Sequence, residues 1–63
     1  MNQQIQDACN FAFQMEVATI FSVLTANLAN VRDGVGELKS EQEAIEKFRI
    51  GMSDALKALS ACE

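Results

Sequence analysis

The first 31 residues contain no glycine, no proline and only two charged groups, Asp7 and Glu16. Nothing in that stretch breaks a helix, so it predicts one long helix with little to present to water. All five basic residues and seven of the nine acidic ones lie in residues 32–63. A net charge of −4 therefore describes a nearly neutral half joined to a highly charged one. At 63 residues the chain is at most one domain. A domain of that size buries only about 60% of its unfolded surface, so a staple or a partner is expected.

At 100° per residue, Phe13, Val17, Ile20, Phe21, Leu24, Leu28 and Val31 fall in one bulky stripe. Ala18, Ser22, Thr25, Ala26 and Ala29 form a second stripe of small side chains. Glu16, Thr19, Val23, Asn27 and Asn30 fill the remaining wedge. A helix apolar around most of its circumference is normally buried on more than one side, which a single partner helix cannot achieve. The two stripes, Phe13, Val17, Ile20, Phe21, Leu24, Leu28 and Val31 with Ala18, Ser22, Ala26 and Ala29, are thus the expected self-association interface.

The helix should end at Arg32-Asp33-Gly34-Val35-Gly36, where Gly34 can take the left-handed conformation. Ser40-Glu41-Gln42-Glu43 matches the S-x-x-E capping box, with Ser40 accepting the Glu43 N–H and Glu43 reaching back to Ser40. The expected organisation is one helical domain: a helix over about 2–33, a turn over about 34–40 and a helix over about 41–61. On the second helix Ala44, Ile45, Phe48, Met52, Ala55, Leu56, Leu59 and Cys62 form one apolar face. Glu43, Glu46, Lys47, Asp54 and Lys57 stand opposite, with Glu43 and Lys47 in the favourable i,i+4 order. Gly51 marks either a close helix approach or a tolerated poor helix former. The predicted fold class is all-α, a two-helix antiparallel hairpin that completes its core by self-association. One long bent helix is the structural alternative, because a 3–4 spacing runs from Phe21 through Val35 and Leu38 to Leu59. Two glycines within three residues, a fresh N-cap, and Gln42 and Arg49 in the seam weigh against it.

Catalytic and cofactor chemistry find little support. The chain has no histidine, no C-x-x-C and no Asp-rich loop, so no metal site, cofactor or catalytic residue is assigned. A serine or cysteine nucleophile would lack its usual activating base. Gly34-x-Gly36 has neither a preceding strand nor a following Lys-Ser, so it is not a phosphate loop. No nucleic-acid partner is expected, since Phe11, Phe13 and Phe21 precede the first basic residue, Arg32. Cys9 and Cys62 are a candidate disulfide. With the turn centred near Glu37, Cys62 lies level with about residue 12, within roughly a helical turn of Cys9. Such closure contributes about 4 kcal/mol. Two buried thiols are the competing reading, and the favoured one without an export signal.

Residues 17–31 are uncharged but too short, at 1.5 Å per residue, for a bilayer core of about 30 Å. Extension back to Ala8 brings Glu16 inside, so membrane insertion ranks below the soluble readings. The segment MNQQIQDAC lacks a basic n-region, which makes the cytoplasm the default expectation unless the chain is exported as an assembly subunit. In length and hairpin pattern the chain is similar to the plasmid copy-number regulators of the Rop type, which are dimeric four-helix bundles that bind RNA. It is similar in the same way to hairpin subunits of secretion needles and other bacterial filaments. The likeness is architectural, and no residue carries over from it. The expected function is a non-enzymatic, self-assembling helical subunit with a structural role in an oligomer or filament. The alternative is a small adaptor or chaperone-like module that binds an amphipathic helix of another protein.

Overall fold

The computed structural model describes residues 2–62 as two helices, α1 (Gln3–Asp33) and α2 (Glu41–Ala61), packed antiparallel. The hairpin is a rod of 48 × 15 × 11 Å. Its long dimension is that of α1, whose 31 residues span about 46 Å at 1.5 Å per residue.

Each helix end has a local cause. Asn2 caps α1, its side-chain oxygen accepting the Gln4 N–H at 2.8 Å. Gly34 ends it with φ 76°, while Gly34 N–H donates to Val31 O and Val35 N–H donates to Asn30 O. That pair of bonds is the Schellman arrangement, which satisfies carbonyls the helix would otherwise leave open. Ser40 caps α2 by accepting the Glu43 N–H at 3.2 Å. The reciprocal half of the box differs from expectation. Glu43 Oε1 accepts the backbone N–H of Lys39 at 2.9 Å and the Ser40 hydroxyl at 3.5 Å. With that carboxylate held at the cap, the ion pair along α2 is Glu46–Arg49 at 3.2 Å, and the expected Glu43–Lys47 pair is absent among the described residues.

Packing between the helices is thin. Among the described residues only Ala44 and Ala55 are buried, and α1 has none. From α1, Phe13, Val17, Ile20, Leu24, Leu28 and Val31 are half-buried toward α2. The α2 face keeps Ala44, Phe48, Met52, Ala55, Leu59 and Cys62 of the expected one but not all of it. Ala44, Gly51 and Ala55 lie at the contact, whereas Ile45 and Leu56 remain 45% and 52% exposed. Small side chains let the two backbones approach, and that approach moves the bulkier neighbours to the flank. Gly51 lies against Ile20: a Cβ there would sit 3.4–3.6 Å from the Ile20 side chain. Gly51 is thus at the helix contact, but a methyl would fit there in ordinary van der Waals contact, so the approach leaves room for more than glycine.

Cys9 and Cys62 are joined as a disulfide at the open end, their Cα atoms 6.4 Å apart. Expectation had favoured free thiols for want of an export signal, an argument about compartment that says nothing of geometry. Eleven residues along α1 and eleven back along α2 bring Ile20 opposite Gly51, so one register covers both contacts. The same register puts Cys62 opposite Cys9 rather than residue 12, and centres the turn between Val35 and Gly36 instead of near Glu37.

Candidate self-association surface

The eleven residues expected to form the interface fall into two groups. Phe13, Val17, Ile20, Leu24, Leu28 and Val31 are half-buried and lean on α2 within the same chain. Phe21, Ala18, Ser22 and Ala26 are exposed, and Ala29 is half-buried. Phe21 is 59% exposed although its ring meets Phe48 edge-on, centroids 6.4 Å apart and planes at 77°.

Opposite the α2-facing stripe runs a row at spacings of three and four: Phe11, Met15, Ala18, Ser22, Ala26 and Ala29. It carries no charge, and Phe11 and Met15 are 64% and 58% exposed. The surface is less polar than its composition suggests. The Thr25 hydroxyl beside the row donates back to the Phe21 carbonyl at 3.0 Å, so that donor is not free. Phe11 and Met15 were outside the expected interface, yet they continue the Ala18–Ser22 row toward the N-terminus at the same spacing.

A second apolar region lies on the flank of the hairpin, where Phe21, Ile45 and Leu56 stay about half exposed at the edge of the seam. Between the helices, beside the disulfide, runs an open groove of about 480 Å³ lined by Cys9, Phe13, Glu16, Asp54, Leu59 and Cys62 among others. Glu16 on α1 and Asp54 on α2 therefore give both of its walls negative character. A smaller groove of about 210 Å³ follows toward the loop, lined by Ile20, Val23, Ala44 and Phe48 among others.

By length and composition α1 could cross a membrane, with a mean hydropathy of 1.3 over its most apolar 18 residues. Among the described residues no group of three or more Cys, Asp or Glu side chains converges to hold a metal ion. The groove thus offers apolar contact edged by carboxylates, and the outer side of α1 offers apolar contact alone. No family model, curated protein or solved structure matches the chain.

Proposed function

We propose that this chain is a non-enzymatic helical subunit that self-assembles, its role being structural within an oligomer or filament. The observation that carries the reading is surface area. The hairpin exposes 4775 Å². A compact monomer of 6.9 kDa would expose about 4,000 Å². The excess, about 800 Å², follows from the rod shape and equals the area one partner gives to a standard protein–protein interface. Of the nine exposed large hydrophobic residues among the described residues, Phe11 and Met15 lie on the uncharged outer row of α1 and Phe21, Ile45 and Leu56 on the flank, where a patch could meet another protein.

Two such regions on one protomer bear on the form of assembly. A contact of one patch with its own copy closes into a dimer, whereas a contact between different patches can propagate. The second reading, a module binding an amphipathic helix of another protein, draws on the groove between the helices. Membrane insertion has less support. The Cys9–Cys62 bond ties α1 to α2, and insertion would draw Lys47, Asp54 and Lys57 toward lipid along with Glu16.

Sedimentation velocity of the oxidised chain over a series from low to high micromolar tests the proposal. The expected result is a mass that rises above the monomer with concentration. Ser22→Glu, which puts a charge in the middle of the outer row, should hold the chain as a monomer while leaving its helix content unchanged. A wild-type monomer at every concentration contradicts self-assembly. Growth only on addition of a helical peptide favours the adaptor reading, and co-flotation with liposomes favours the membrane one.

A further inference from the structure

We propose that the Cys9–Cys62 disulfide is an exchangeable latch, whose reduction releases α2 from α1. The inference rests on the fold of one chain and is independent of self-assembly.

Three observations carry it. The first is how little else holds the helices together: among the described residues the buried side chains are Ala44 and Ala55, one methyl each, and α1 contributes none. The second is position. The helices are tethered at one end by the loop over residues 34–40, and the bond lies at the other end, across a sequence separation of 53. A link of that span raises the closed form relative to the open one by about a thousandfold on the loop-entropy account. The third is access. Both cysteines are half-buried and line the open groove beside α1 and α2, so a sulfur can be reached from solvent.

The chemistry is thiol–disulfide exchange with a dithiol reductant. A reductant thiolate attacks one sulfur of the Cys9–Cys62 bond, which breaks and leaves a mixed disulfide and one cysteine thiolate. The second reductant thiol then attacks the mixed disulfide and frees the other cysteine. Two electrons and two protons pass to Cys9 and Cys62, and the reductant leaves as its own disulfide. Glu16 and Asp54 line the same groove and repel an incoming anion, so a dithiol whose thiolate is its only charge should react faster than a thiol carrying further carboxylates or sulfonates. Once α2 is released, Phe13, Val17, Ile20 and Leu24 lose their cover. The closed hairpin then belongs to an oxidising setting, and a reducing one opens it.

Amide hydrogen exchange of the dilute chain tests this at a concentration where sedimentation gives the monomer, which keeps it separate from the test of self-assembly. On reduction with dithiothreitol, protection across residues 44–59 should fall by roughly a hundredfold to a thousandfold. The Cys9→Ser/Cys62→Ser variant should show that low protection with and without reductant, whether it stays helical or unfolds. Protection that changes by less than about threefold on reduction, or a double variant as protected as the oxidised chain, would mean that packing alone holds the hairpin, and the proposal would be overturned.

Discussion

Glycine is required at Gly34 and only tolerated at Gly51. Gly34 has φ 76° and nothing within 4 Å of where a Cβ would stand. Space is ample there, but the left-handed backbone strains any L side chain. Gly51 sits in ordinary helical geometry, where a methyl would rest in van der Waals contact with Ile20. Alanine is favoured over glycine in a helix interior by about 0.8–1.0 kcal/mol. Gly51→Ala should therefore stabilise the oxidised hairpin by up to about 1 kcal/mol, and Gly34→Ala should destabilise it by about 1 kcal/mol. Chemical denaturation of the two variants beside the wild type checks both signs. A lower midpoint for Gly51→Ala would show the helices closer together than the Ile20 contact implies.

At the scale of the element, α2 depends on its first turn. Ser40 accepts the Glu43 N–H, and Glu43 accepts the Lys39 N–H in return. Ser40→Ala removes one of these bonds and should cost about 1 kcal/mol, read as a lower midpoint in the far-UV circular dichroism melt. An unchanged midpoint would mean that the tertiary contact, rather than the cap, fixes where α2 begins. Both helices and their ends were legible in the sequence because Gly34 and the S-x-x-E run are local signals, and the structure carries out each with backbone bonds. The α2 face was legible only in part. Hydrophobic periodicity counts Ile45 and Leu56 as core, but close approach selects Ala44, Gly51 and Ala55, and periodicity alone does not weigh side-chain size against helix separation. The proximity of Cys9 and Cys62 was legible to within a helical turn, but the bond itself was not, because free thiols were favoured on compartment; its register depended on a loop whose geometry is not periodic. The candidate surface was legible at Ala18, Ser22 and Ala26. At Phe13 and Ile20 it was not, because sequence alone could not say which stripe α2 would take.

At the scale of the whole molecule, the hairpin has one seam between its helices and an outer side of α1 that remains apolar and uncharged. Its radius of gyration, 14.6 Å, exceeds the roughly 11 Å of a compact chain this long. A rod with so little inside is held by its loop, its disulfide and a thin seam of contacts. In the proposed assembly, other copies of the chain cover the Phe11–Ala29 row of α1. Met15 lies in that row, 58% exposed in the single hairpin, and its thioether can be oxidised to the sulfoxide. Measuring its peroxide oxidation rate by mass spectrometry at low and high protein concentration tests the claim most directly. Self-assembly through this row predicts that Met15 reacts readily when dilute and becomes protected as concentration rises. A Met15 rate that stays the same while the chain sediments as an oligomer would contradict it.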